Sequence, residues 1–170
     1  MRVISGKYKG KLLKGFDING TRPTMDRVKE GMFALIQDRI KDSIVLDLFA
    51  GSGSLGIEAL SNGASKVCLV DNNNIAINTI KENTKNMEGV IIVKSDFENF
   101  LTGTDLKFDL IFLDPPYKSE YIEKAIDLIV KNNLLNENGL IICETDFPLE
   151  IKRNIYKSKK YGPKYIQIYY

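Results

Sequence analysis

Two strand-to-loop junctions carry the residues of this chain best suited to chemistry. At the first, Asp114-Pro115-Pro116-Tyr117 leaves the apolar run Phe108-Asp109-Leu110-Ile111-Phe112-Leu113. An exocyclic amine on a nucleobase is a poor nucleophile, because its lone pair is delocalised into the ring. It becomes reactive when both N–H bonds are held so that the lone pair points at an electrophilic methyl carbon. Asp114 can accept one of those N–H groups and the Pro115 carbonyl the other. Pro115 and Pro116 stiffen the acceptors, since a proline ring fixes φ near about −65° and offers no competing N–H. Tyr117 can stack on a base swung out of its helix. The plain alternative is a rigid Pro-Pro loop with Tyr117 packed on the surface.

At the second junction, Ile44-Val45-Leu46-Asp47-Leu48-Phe49-Ala50 runs into Gly51-Ser52-Gly53-Ser54-Leu55-Gly56. The glycines match the G-x-G-x-x-G pattern of a strand–loop–helix that lets a ligand approach the backbone, and Asp71 follows at the expected interval. That pattern does not choose between NAD and S-adenosylmethionine. A phosphate-cradling Walker loop is excluded, because Ile57-Glu58 stand where Lys-Ser/Thr should follow the last glycine. Asp47 favours S-adenosylmethionine: a carboxylate sits poorly beside a pyrophosphate but suits ammonium and sulfonium groups. Asp71 can accept from ribose hydroxyls. Asp96 can accept from an adenine amine, with Phe97 beside the ring. The expected cofactor-binding set is Asp47, Phe49, Ala50, Gly51, Gly53, Asp71, Asn72, Asp96 and Phe97. Each of the three acids has a structural alternative as a helix cap or first-turn residue.

The elements that must position these loops follow from periodicity. Apolar strands are expected over 44–49, 66–70, 90–94, 108–113 and 139–144, separated by helices over 54–61, 73–86 and 119–132 and a helical turn near 97–101. The strands carry Val, Ile and Leu on both faces, as in a parallel sheet covered on both sides. Ile122, Ala125, Ile126, Ile129 and Val130 have the spacing of a helix packed on a sheet. Upstream, Gly6, Gly10, Gly15 and Gly20 mark a small hairpin and loop, and a helix with Thr24 as N-cap and Asp26 in its first turn follows. Strands over 149–156 and 164–170, joined around Tyr161-Gly162-Pro163, are expected to close the sheet as an antiparallel hairpin. Gly31 inside the first helix costs about 1 kcal/mol of helix propensity relative to Ala and has no functional explanation in the sequence.

With 170 residues, 44% of them hydrophobic, the chain suits one domain that buries roughly 70% of its unfolded surface. No apolar run approaches the roughly 20 residues of a membrane span, and the amino-terminal residues lack the pattern of a signal peptide. A cytoplasmic location is expected. The chain has no histidine, which removes a Ser-His-Asp triad, a Cys-His pair and most zinc chemistry. Cys68 and Cys143 lie in apolar strands and read as reduced core residues, and no metal site is expected. Net charge is +2, yet residues 1–29 carry eight Lys/Arg against two acids, and residues 152–170 carry six and none. The ends can form a cationic surface for phosphates, while the acidic middle repels a polyanion.

The motifs together resemble the RsmD family of 16S ribosomal RNA guanine-N2 methyltransferases, within the class I S-adenosylmethionine-dependent superfamily. The resemblance covers nearly the whole chain. It rests on the opening Met1-to-Gly10 segment, on Thr21-Arg22-Pro23-Thr24-Met25-Asp26-Arg27-Val28-Lys29, on Asp47-to-Gly53 with Gly56 and Glu58, on Phe108-to-Tyr117, and on Tyr161-Gly162. It implies a Rossmann-like fold with a mostly parallel seven-stranded sheet and an antiparallel C-terminal hairpin strand. A single domain would span residues 1–170, with 1–40 as an RNA-contacting extension. It also implies bound S-adenosylmethionine and a guanine N2 of 16S rRNA, in the small subunit or its assembly intermediate, as acceptor. The implied catalytic residues are Asp114, Pro115, Pro116 and Tyr117. Arg2, Lys7, Lys9, Lys11, Arg22, Thr24, Asp26, Arg27 and Tyr117 would face the RNA. A monomer is expected. Met25 departs from the family, which has a second Thr there. An adenine-N6 methyltransferase is the nearest alternative, although such enzymes usually carry Asn where Asp114 stands. A nicotinamide oxidoreductase and a non-catalytic RNA-binding module are the alternatives outside the class.

Overall fold

The computed structural model describes residues 1–15, 23–116 and 119–170. Seven strands form one sheet in the order β3-β2-β1-β4-β5-β7-β6. They are β1 (Ile44–Asp47), β2 (Lys66–Asp71), β3 (Val90–Lys94), β4 (Phe108–Leu113), β5 (Leu135–Thr145), β6 (Ile155–Tyr161) and β7 (Lys164–Tyr169). The first five run parallel, and β7 lies antiparallel between β5 and β6. The helices are α1 (Pro23–Ile40), α2 (Ser54–Ser61), α3 (Asn74–Asn83), α4 (Phe97–Gly103) and α5 (Ser119–Lys131).

Alternation along the strands divides the interior into two layers. Val45, Leu69, Leu110, Phe112 and Ile142 face α1, α2 and α3, where they meet Met32, Phe33, Ile36, Ala59 and Ile80. Leu46, Cys68, Ile111, Leu113 and Cys143 face α4 and α5, where they meet Phe100, Leu101, Ile122, Ala125 and Ile129. Successive strand residues point to opposite faces, so an unbroken Val/Ile/Leu run supplies both layers at once. Both cysteines are free and buried. Burial, then the Asp47 charge, pushes the Cys68 thiol up to about 12, which leaves it protonated and inert.

The strand order reverses between β1 and β4, opening a crevice at their carboxyl ends. Open α/β sheets bind ligands at such a switch point. Asp47 is paired with Phe112 in the register, so Asp47 and Asp114 leave the sheet side by side at that crevice.

Five local expectations need correction. The helix begins at Pro23, so Thr24 is an interior first-turn residue rather than the N-cap; proline fits there because a first-turn N–H has no helical acceptor anyway. α3 ends at Asn83, short of 86, with Asn86 at positive φ. β5 starts at Leu135, four residues before 139, and its polar start is held where Asn136 Nδ2 donates to Asp109 Oδ1 at 3.0 Å. The first hairpin strand is 155–161, displaced from 149–156. Leu149 is not in a ladder: its N–H donates to Gln167 Oε1 at 2.5 Å and its carbonyl accepts from Gln167 Nε2 at 3.1 Å. The small amino-terminal hairpin is reduced to one antiparallel bridge, Arg2 with Leu12.

Gly31 has a packing role. A Cβ there would lie 2.4 Å from Cε1 and Cζ of Tyr161, and the Tyr161 hydroxyl donates to the Gly31 carbonyl at 3.1 Å. The bare helix backbone thus seats the β6 tyrosine.

Candidate active site

The loop after β1 bends through two left-handed glycines, Gly51 at φ 54° and Gly53 at φ 80°. L side chains rarely adopt that region. A Cβ on Gly51 would meet nothing within 4 Å, so the loop's outer side is open to a ligand. Gly56 is needed for a different reason: its Cβ would strike Leu69 Cδ2 at 2.2 Å, and its absence lets α2 sit down on β2. The three glycines therefore do separate work.

Two of the three acids hold this loop. Asp47 is only 1% exposed and accepts from Gly56 N at 3.1 Å. It lies under the loop, not on its surface. Burial pushes its carboxyl up to about 7, and Asp71 adds to the rise, while the Gly56 N–H opposes it. Asp71 accepts from Gly51 N and from Asn73 N, one on each oxygen, both at 2.9 Å. Its remaining lone pairs are available to ribose hydroxyls. Asp96 is the N-cap of α4: it accepts from Asn99 N at 2.9 Å and from Asn99 Nδ2 at 2.5 Å. The capping alternative thus holds for Asp96. Phe49 and Phe97 lie with ring centroids 5.4 Å apart, and Phe97 is a further 5.4 Å from Tyr121. These rings form an aromatic wall beside the loop. Ala50 is buried and Asn72 is exposed beside Asn73, which caps α3 by accepting from Ile75 N at 2.7 Å.

Asp114 is half-buried at the end of β4, with Pro115 half-buried and Pro116 exposed. Burial pushes its carboxyl up to about 8; Glu144 adds to the rise, Lys164 pulls it down, and Asp47 and Asp146 raise it further. Lys164 links this group together, at 2.9 Å from Asp146 Oδ1 and 3.7 Å from Glu144 Oε1. Partial burial draws the Lys164 ammonium down, but Asp146, Glu144 and Asp114 outweigh it and the net shift is upward. Glu144, Asp146 and Lys164 escape a sequence reading because the parallel β4–β5 register brings the two acids, and the antiparallel β5–β7 register the lysine, to Asp114. Tyr117 and Arg22 lie outside the described residues, as does the Thr24 side chain.

The amino-terminal arm is stapled to the loop from below. Lys29 and Glu58, 6% and 1% exposed, pair at 3.1 Å. Glu58 also accepts from Ile4 N, Ser5 N and Ser5 Oγ, each at 2.9 Å, and Lys29 Nζ donates to the Arg2 carbonyl and to Ser54 Oγ. Asn83 Nδ2 bridges the Lys14 carbonyl and the Ser52 carbonyl of the glycine loop, each at 2.9 Å. Of the residues expected at RNA, Arg2 pairs with Asp26 at 3.7 Å, Lys7 lies over the Tyr8 ring, and Arg27 and Lys9 are exposed. Lys11 is half-buried. The sequence does hold a signal for the staple, since Glu58 is the one charge in the otherwise apolar helix Ser54–Ser61. Glu58→Ala strands a buried ammonium and is expected to cost about 3–5 kcal/mol of stability, measured by urea unfolding. A loss under about 1 kcal/mol, the range of exposed ion pairs, would show that the arm is not fastened there.

A crevice with a glycine-lined approach, a buried acid beneath it and an acceptor loop across the switch point fits a small cationic cofactor and a planar amine. Among the described residues no three His, Cys, Asp or Glu side chains converge to hold a metal ion, and no helix is long and apolar enough to cross a membrane. Known proteins of similar sequence and shape identify the family. The family model "Conserved hypothetical protein 95" matches residues 1–170. Ribosomal RNA small subunit methyltransferase D of Haemophilus influenzae is 39% identical over 152 residues, covering 86% of this chain and 79% of that protein. The Escherichia coli K12 protein of the same name is 33% identical over 148 residues, covering 86% and 75%. The solved structure of yhhF from Escherichia coli superposes with a TM-score of 0.89 at 30% identity, covering 99% of this chain and 96% of that one. The expected resemblance is borne out: with its class I methyltransferase fold, this chain belongs to the conserved hypothetical protein 95 family, the RsmD family of ribosomal RNA methyltransferases.

Proposed function

We propose that the protein methylates the exocyclic N2 amine of a guanine in 16S rRNA. S-adenosylmethionine-dependent methylation of ribosomal RNA rests on family membership and on the small-subunit methyltransferase relatives. The observation that carries the finer reading is Asp114, a carboxylate rather than an amide, leading a Pro-Pro loop at the switch point opposite the glycine loop.

When bound, S-adenosylmethionine supplies an electrophilic methyl group. The chain's residues then do the rest. Asp71 and the open face of Gly51 would hold the cofactor's ribose, and Phe49 and Phe97 would flank its adenine. Asp47 places negative charge where the cofactor carries positive charge. Asp114 accepts one N–H of the guanine amine and the Pro115 carbonyl the second, so the amine lone pair is directed outward from the loop. As the amine gains positive charge in the transition state, the carboxylate stabilises it. Asp114 also receives the proton that leaves the methylated amine. Tyr117 packs on the flipped base.

Residues 1–170 act as one cytoplasmic, monomeric methyltransferase domain in this reading. Its first 40 residues meet RNA through Arg2, Lys7, Lys9, Lys11, Arg22, Thr24, Asp26 and Arg27. The acceptor is tested by offering labelled S-adenosylmethionine with small subunits lacking native methylation, with large subunits, or with duplex DNA. Label is expected in 16S rRNA. Label confined to DNA or to the large subunit would overturn the assignment.

A further inference from the structure

α1 and the β6–β7 turn flank an open groove of about 500 Å³ to which none of the residues placed at the cofactor or at the acceptor amine contributes. Its lining includes Arg27, Gly31 and Ala34 from α1 and Lys159 and Tyr161 from β6; Glu30 is its one acid. Its size is that of a small-molecule or nucleotide site. Tyr161 is fixed in position by its bond to the Gly31 carbonyl and its fit against the bare glycine. Lys159 Nζ lies 5.2 Å from the centre of that ring. A rigid aromatic wall, a lysine against it and an exposed arginine opposite are the parts with which proteins hold single-stranded nucleic acid.

The surroundings point the same way. β6 is the edge strand, and it carries Lys157, Lys159 and Lys160. Residues 152–170 contain no acid at all. The groove also lies at the right end of the sheet. Its Gly162 stands two residues before Lys164, whose ammonium bridges Glu144 and Asp146 and acts on Asp114.

We propose that this groove holds a nucleotide of single-stranded RNA flanking the target base. Its phosphate lies between Arg27 and Lys159, and its sugar or base packs on Tyr161. The proposal rests on the ribosomal RNA reading and adds to it a second anchoring point, at the same end of the sheet as the acceptor loop and separated from it by β5 and β7.

Ala34 is exposed on the groove side of α1, so Ala34→Glu adds an anion without disturbing the core. Lys159→Ala removes one phosphate partner. Both are compared with wild type for binding to unmodified small subunits across a salt series, with S-adenosylhomocysteine affinity as the control for folding. Ala34→Glu is expected to weaken subunit binding at least about tenfold, and Lys159→Ala to lower the salt slope by about 0.7–0.9, the share of one phosphate contact. S-adenosylhomocysteine affinity is expected to be unchanged in both. Wild-type affinity and slope in both variants would overturn the groove and leave the acceptor assignment standing. Failure of the wild type itself to bind or methylate subunits would overturn both. Weaker binding by Ala34→Glu with an unchanged slope in Lys159→Ala would indicate a protein contact and would overturn the RNA proposal.

Discussion

Asp114→Ala is expected to lower methyl transfer to ribosomal RNA by about 10²–10³-fold or more, the cost of removing one preorganised electrostatic partner of a transition state. Cofactor affinity should change little, because the loop that holds the cofactor is tied by Asp47 and Asp71. Stability supplies an internal control. The Asp114 carboxyl is pushed up to about 8 by burial and by Glu144, so its removal relieves an unfavourable charge and should not lower the melting temperature. Unaltered folding with lost turnover would mark a catalytic group. An equally large loss of S-adenosylmethionine binding would mean that Asp114 serves the cofactor instead. Asp114→Asn keeps one acceptor but removes the charge, and is expected to fall between wild type and Asp114→Ala.

The second large effect is on pH. An acceptor carboxylate must be ionised, so kcat/KM should rise with pH and level off above about 8, the value to which burial, Glu144, Asp47 and Asp146 push Asp114 against the pull of Lys164. Two units below that, the rate should be about 100-fold under the plateau, because kcat/KM follows the ionisation of the free enzyme. Two substitutions should move the profile in opposite directions. Lys164→Ala removes the cation that favours ionisation and shifts the rise to higher pH. Glu144→Gln removes a repelling charge and shifts it lower. Partial unfolding cannot produce opposite shifts, so coincident profiles would show that Asp114 does not limit the rate. Stability should run the other way. Asp47 and Asp114 titrate from 3.8 to about 7 and from 3.8 to about 8, so the folded state binds more protons than the unfolded chain. Their stabilising contribution is complete below about 3.8 and is lost as pH rises through 7 and 8. The melting temperature of the free protein should therefore fall over that interval.

The parts of this molecule that were legible in the sequence are those where local pattern and final position coincide. The Val/Ile/Leu runs of β1, β2 and β4 are buried on both faces and could be read directly as central parallel strands, with the half-buried run of β3 as their parallel edge. The acids at their ends followed from the fold, since a residue at a strand's carboxyl end has few places to go. Pattern failed where tertiary partners override it. Asn136 makes strand of a polar stretch because Asp109 on the neighbouring strand accepts from it. Leu149 looks like strand but spends its backbone groups on Gln167. β6, Ile155-Tyr156-Lys157-Ser158-Lys159-Lys160-Tyr161, has no apolar alternation because it is an edge with one charged flank, a common protection against edge-to-edge pairing.

At the site, Asp47 and Asp71 were found as residues, yet their immediate work is to hold the glycine loop, and Asp96 caps a helix. Distance in sequence hid the rest. Glu144 and Asp146 reach Asp114 across the parallel β4–β5 register and Lys164 across the antiparallel β5–β7 one, and Lys29 reaches Glu58 only when α1 crosses α2. Gly31 was visible as an oddity, and its reason is a tyrosine 130 residues away.

The central claim is that Asp114 and its proline loop present a guanine N2 amine for methylation. Small subunits lacking native methylation, treated with the protein and labelled S-adenosylmethionine, can be digested to nucleosides and separated by mass and retention. The label is expected in N2-methylguanosine. Label in N6-methyladenosine would keep the fold and the cofactor but contradict the acceptor that Asp114 is built to hold.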